Sequence, residues 1–112
     1  MYKVTENNGK VYIKLQDIKR IEKSNANELE SFIGGYFKQN CQVLLDINNV
    51  FYIDTDGFKI LLSLKLKAEQ LGGRMYLIQL KGALLELFNV IGLSENFEWL
   101  PVDISSDPAL ST

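Results

Sequence analysis

The sequence predicts a small α/β domain: a mixed sheet of four to five strands, flanked by helices and opened by a β-hairpin. Three observations predict it. Tyr2 and Val4, then Val11, Ile13 and Leu15, alternate with polar residues on either side of Asn7-Asn8-Gly9, whose residues tolerate positive φ. Residues 43–47 (VLLDI) form a short, nearly continuous apolar run, as a central strand requires. Residues 57–71 carry apolar side chains at helical spacing and run into Gly72-Gly73. Strands alternating with helices after a hairpin give a layered α/β architecture with right-handed crossovers.

The remaining elements follow in order. Residues 16–23 (QDIKRIEK) are polar, with Ile18 and Ile21 spaced through them, and read as a loop. Ser24 or Asn25 caps a helix in which Ala26, Leu29, Phe32, Ile33, Tyr36 and Phe37 define one apolar face. Gly34-Gly35 falls inside that helix; each glycine costs about 1 kcal/mol relative to alanine, or else permits close approach to the sheet. After the central strand, Val50-Phe51-Tyr52-Ile53 lead into the turn Asp54-Thr55-Asp56-Gly57. Residues 74–80 (RMYLIQL) form a further strand, and residues 83–91 a helix closed by Gly92. Residues 97–100 give a last, edge-type strand before Pro101, which has no N–H to donate, and one helical turn is expected from Pro108.

With 112 residues the chain is read as one domain, residues 1–112, large enough for a real core. A formal charge of −2 gives no electrostatic reason to expect nucleic acid. The lone Cys41 permits no intrachain disulfide and reads as a small apolar residue at a strand start. No stretch approaches the length of a membrane span, so no direct membrane insertion and a cytoplasmic location are expected. Histidine is absent altogether, and carboxylates, lysines and hydroxyls show no arrangement suited to catalysis. The expectation is a non-enzymatic protein without metal or cofactor.

Interest therefore centres on the acidic turn and its helix. Asp54, Thr55 and Asp56 sit where a helix exposes unpaired N–H groups, which carboxylates and hydroxyls accept. On the helix, Ile60, Leu61, Leu64, Ala68 and Leu71 share a core-facing arc, while Lys59, Ser63, Lys67 and Gln70 fall opposite. A second apolar line, Phe58, Leu62 and Leu66, is either buried too or offered to a partner protein within a rim of Lys59, Lys65 and Glu69.

The run Leu45-Asp46-Ile47, Val50, Ile53-Asp54-Thr55-Asp56-Gly57, then a long helix, Gly72-Gly73, a strand and Leu87-Phe88-Asn89-Val90-Ile91-Gly92-Leu93 resembles a STAS domain. Such domains occur in bacterial anti-sigma factor antagonists and in sulfate-transporter tails. The resemblance implies partner switching: the unphosphorylated domain binds an anti-sigma factor that is also a kinase. Phosphorylation of a hydroxyl in a D-S-[ST]-G turn ends the binding. Together with the second apolar line, it points to a partner-binding set of Asp54, Thr55, Asp56, Gly57, Phe58, Lys59, Leu62 and Leu66. Asp56 departs from the pattern, standing at the usual phosphoacceptor position with a charge of −1 against the roughly −1.5 to −2 of a phosphate. Either Asp56 holds a state resembling the phosphorylated one or the partner surface has adapted to it. Thr55 is the remaining phosphorylation candidate, with helix capping as its rival role. The alternative is a non-switching structural STAS subunit of a lipid-transport ABC complex or a stressosome-like assembly. Oligomeric state is left open.

Overall fold

A computed structural model describes residues 2–80, 82–90 and 96–100. The hairpin pairs β1 (Tyr2–Asn7) with β2 (Lys10–Leu15) in antiparallel register, Tyr2 opposite Leu15 and Asn7 opposite Lys10. Asn8 and Gly9 both have positive φ, 51° and 79°, as a two-residue loop between twisted strands requires. From β2 onward the pairing is parallel, through β4 (Gln42–Asp46) and β6 (Arg74–Ile78) to β7 (Glu98–Leu100). The five strands lie in the order β1-β2-β4-β6-β7, so the sheet is mixed, β4 is central and β7 lies at an edge.

Register builds the core. Val11, Val43 and Met75 align across three strands, as do Ile13, Leu45 and Leu77, and all six are buried. Helices α1 (Ala26–Gly34) and α2 (Thr55–Gln70) add Leu29, Ile33, Leu61, Leu64 and Ala68 to the same cluster. Burying each of these leucines and isoleucines stabilises the fold by about 1.5–3 kcal/mol, which holds both helices to this face. Helix α3 (Gly82–Val90) contributes Leu84 and Phe88. On the opposite face Tyr12, Leu44 and Tyr76 align, and the Tyr12 hydroxyl donates to the buried carboxylate of Asp46. Asp46 also accepts from the Asn48 amide at 2.9 Å, so this carboxylate is held inside the fold.

Three expectations need correction. Residues 16–23 are not all loop: β3 (Arg20–Ile21) pairs in parallel with β5 (Tyr52–Ile53) in a separate two-stranded sheet. A two-residue strand is too short for any periodicity to betray it. Helix α1 stops at Gly34 rather than continuing through Phe37, although Tyr36 and Phe37 still pack on the core. Asn25 occupies its N-cap position without a side-chain cap, because its amide instead accepts from the Glu22 N–H and donates to the Arg20 carbonyl. The expected closure at Gly92, the role of Pro101 and the turn from Pro108 lie outside the described residues.

The glycine pairs have distinct reasons. Gly34 approaches α2, not the sheet: a Cβ there would lie 3.1 Å from Lys67 Nζ, which donates to the Gly34 carbonyl at 3.1 Å. That ammonium satisfies a carbonyl at the negative end of α1. Gly72, at φ 83°, closes α2 by donating to Glu69 at 3.0 Å while Gly73 donates to Ala68 at 2.9 Å, a Schellman arrangement. A Cβ on Gly73 would overlap the Cys41 carbonyl at 1.9 Å, so α2 enters β6 through a gap that admits no side chain.

Gly73→Ala is therefore expected to cost about 3 kcal/mol, since backbone must move to make room. Gly34→Ala is expected within about 1 kcal/mol of wild type, because the lysine tip yields and helix propensity improves. Urea denaturation of the two variants checks the contrast.

Candidate functional site

The turn after β5 is built around one carboxylate. Asp54 is the N-cap of α2, and its Oδ1 accepts from the Gly57 amide at 2.8 Å. Its Oδ2 accepts from the Lys23 amide at 3.0 Å, which ties the start of α2 to the segment before α1. The Asp54 amide in turn donates to the Ile21 carbonyl of β3 at 3.1 Å. The Gly57 hydrogen bond above all holds the Asp54 carboxyl below its ordinary value, aided by the amides of Lys23 and Asp56 and by the Lys23 charge, against a smaller desolvation effect.

Gly57 fixes the approach of helix to strand. A Cβ there would lie 2.3 Å from the Ile21 carbonyl oxygen and 2.8 Å from Ile53 Cγ2, so only glycine lets the first turn of α2 sit on β3 and β5. Sequence pattern alone offered no reason for this glycine. Thr55 opens the helix with an exposed side chain, and Asp56 follows it half-buried. Asp56 lines a cleft of about 230 Å³ with Lys23, Asn27 and Lys59, over Ala26 and Ile60.

The second apolar line divides. Phe58 is buried and meets the fully buried Phe88 of α3 edge-on, with ring centroids 5.1 Å apart. Leu62 is half-buried and Leu66 is 55% exposed. Lys59, Leu62, Ser63, Leu66, Lys67 and Gln70 line an open depression on the outer side of α2. Lys65 and Glu69 form an ion pair at 2.9 Å beside it. Of the eight expected contact residues, Gly57 and Phe58 are inside the fold, Asp54 is occupied as a cap, and Thr55, Lys59 and Leu66 are exposed.

Sequence reasoning passed over a neighbouring patch. Phe51 is 52% and Tyr52 41% exposed, and the Arg20 guanidinium lies 5.2 and 5.1 Å from their ring centroids. The signal was present: four apolar residues in a row, Val50–Ile53, are more than a two-residue strand buries. Val50 and Ile53 take the buried places. Among the described residues, no group of three or more His, Cys, Asp or Glu side chains is placed to hold a metal, and no helix is long and apolar enough to cross a membrane.

The STAS domain family profile matches residues 3–107, and the chain belongs to that family. Its fold is similar to an anti-sigma-factor antagonist (STAS) domain protein from Planctomyces limnophilus, with a TM-score of 0.78 at 15% identity over 99% of this chain and 98% of that one. The phosphorylated form of the Bacillus cell-fate determinant SpoIIAA gives a TM-score of 0.60 at 14% identity, over 90% of this chain and 92% of that one. A murine anion transporter, Slc26a9, gives 0.72 at 17% identity, matching 88% of this chain but 17% of the transporter. At these identities the likeness establishes the shared fold. Comparison with curated proteins gives no match.

Because ionisation of Asp54 is favoured in the folded state, it contributes stability above the ordinary aspartate pKa of 3.8, and that contribution is lost as pH falls through the lower folded value. Asp54→Asn keeps an acceptor at the cap but does not titrate. Thermal melts are expected to show wild type ahead of Asp54→Asn at neutral pH, with the gap closing at acid pH.

Proposed function

We propose that this chain is a non-enzymatic regulatory STAS domain of the anti-sigma factor antagonist type. It binds a kinase-like anti-sigma factor through the turn Asp54–Gly57 and the exposed side of α2. The observation that carries the reading is the outer side of α2, where exposed Thr55 and Lys59 follow the turn fixed by Asp54 and half-buried Leu62 and exposed Leu66 continue an apolar line. The fold likeness to anti-sigma factor antagonists supports it. The buried Gly57 and Phe58 shape the contact from beneath, and Thr55, Lys59, Leu62 and Leu66 meet the partner, with Asp56 at the edge of the contact.

In this reading Asp56 supplies permanently one negative charge where a hydroxyl would gain more upon phosphorylation. The domain is thereby held toward the state that releases its partner. Thr55, exposed at the first helical position, is the hydroxyl open to a kinase. The domain works in the cytoplasm, where such a partner acts, and needs no cofactor.

A non-switching structural subunit is the second reading. The missing hydroxyl at position 56 favours it, and the transporter match is a case of this fold as a small part of a much longer chain.

The test is purification of tagged wild type and Asp56→Ser from the native host, identification of a kinase-like partner, and calorimetry with that partner purified. Asp56→Ser is expected to bind about tenfold tighter, roughly 1.4 kcal/mol. Lys59→Glu is expected to bind more weakly, chiefly through slower association. Equal affinity of wild type and Asp56→Ser would transfer the assignment to the structural-subunit reading.

A further inference from the structure

We propose that Arg20, Phe51 and Tyr52 form a docking surface for a partner segment that carries a carboxylate beside an apolar side chain. The inference rests on the protein-binding reading above and adds a second contact to it, with a stated chemistry.

Four large apolar side chains are exposed among the described residues: Phe51, Tyr52, Leu66 and Val90. Two of these are consecutive, and they share one cation. The β3–β5 register sets Arg20 opposite Tyr52, and the Phe51 amide donates to the Lys19 carbonyl at 2.9 Å, so backbone bonds fix where these side chains start. The guanidinium then lies within reach of both ring faces, at 5.2 and 5.1 Å. Its ion pair with Glu22 is long, 4.0 Å from Nη1, and both side chains are partly exposed. A guanidinium carries five donors in a rigid fork, and one long contact leaves most of that capacity for an acceptor.

Charge and shape select the occupant. A planar guanidinium held against rings matches a carboxylate through two parallel hydrogen bonds, and the rings reduce the freedom lost on binding. Lys19 and Lys23 flank it, so residues 17–23 hold three basic and two acidic side chains in a chain whose net charge is −2. A free inorganic anion at Arg20 would leave the apolar surface of Phe51 and Tyr52 in water. An acidic segment with an adjacent apolar side chain covers both. The patch is continuous with the proposed contact, because β5 runs directly into Asp54 and Thr55.

The experiment titrates the isotope-labelled whole chain with a pool of capped octapeptides in which Asp or Glu alternates with Leu or Phe. A matched pool carries Lys in place of the acids, and inorganic phosphate serves as a third probe. Amide chemical shifts are followed by NMR. The acidic pool is expected to give saturable shifts at Arg20, Ile21, Phe51 and Tyr52, with the lysine pool and phosphate giving none there. Arg20→Met is expected to weaken the acidic pool about tenfold, with Arg20→Lys between the two. Phe51→Ser, whose side chain is already half in water, is expected to weaken it as well.

Equal shifts from the lysine pool, equal affinity in Arg20→Met, or shifts from phosphate alone would overturn the proposal. So would peptide-free shifts at these amides that grow with protein concentration, which would give the patch to a second copy of the chain. Lys59 and Asp56 are left intact throughout. Failure here with a Lys59→Glu effect on the purified partner would remove this surface alone, whereas peptide binding with no Asp56 effect would remove the switching reading alone.

Discussion

The two oxygens of Asp54 serve two different parts of the chain. One accepts from the Gly57 amide and starts α2; the other accepts from Lys23, thirty-one residues earlier, and anchors the approach to α1. The Asp54 amide adds a bond to Ile21, so strand β3, the segment before α1, the end of β5 and the start of α2 meet at this residue. Gly57 completes the junction by contributing no side chain where Ile21 and Ile53 come within 3 Å of its would-be Cβ. The start of α2 is thereby fixed against β3 and β5. A carboxylate at this position is thus first a structural element, and its depressed pKa is the electrostatic trace of the amides it gathers.

Much of the fold was legible because its signals are local. The Asn-Gly hairpin, the apolar run of β4, the helical spacing of α2 and the glycine that closes it each depend on a few neighbouring residues. What escaped depends on distant partners. Arg20–Ile21 becomes a strand only because Tyr52–Ile53 lies beside it. Asn25 fails to cap α1 because Arg20 and Glu22 engage its amide. Phe58 leaves the exposed line because Phe88, thirty residues on, supplies an aromatic partner. The same applies to Gly34, whose neighbour is a lysine on another helix.

The candidate site was legible in part for the same reason. A capping aspartate before a helix shows in sequence, and Asp54 caps as expected. Which apolar residues on α2 face solvent is a question about α3 and the sheet, and periodicity within α2 does not hold the answer. The Arg20 patch was less visible still, since it joins residues 31 and 32 positions apart across a two-stranded sheet that pattern reading does not find.

Rigidity at the turn bears on how a charge there is read. The bonds to Asp54 and the close contact at Gly57 leave the first turn of α2 little room to rearrange. A carboxylate at position 56, or a phosphate on Thr55, changes the charge at the helix start without displacing a core side chain, because Thr55 is exposed and Asp56 borders an open cleft. Such a change favours the helix through its dipole while altering what a docked partner meets. In the proposed reading the switch is therefore electrostatic: the fold holds still and the partner's affinity moves. Lys23 and Lys59, beside Asp56 in the cleft, moderate the negative charge that the partner meets there. A domain of this design needs no second conformation of its own.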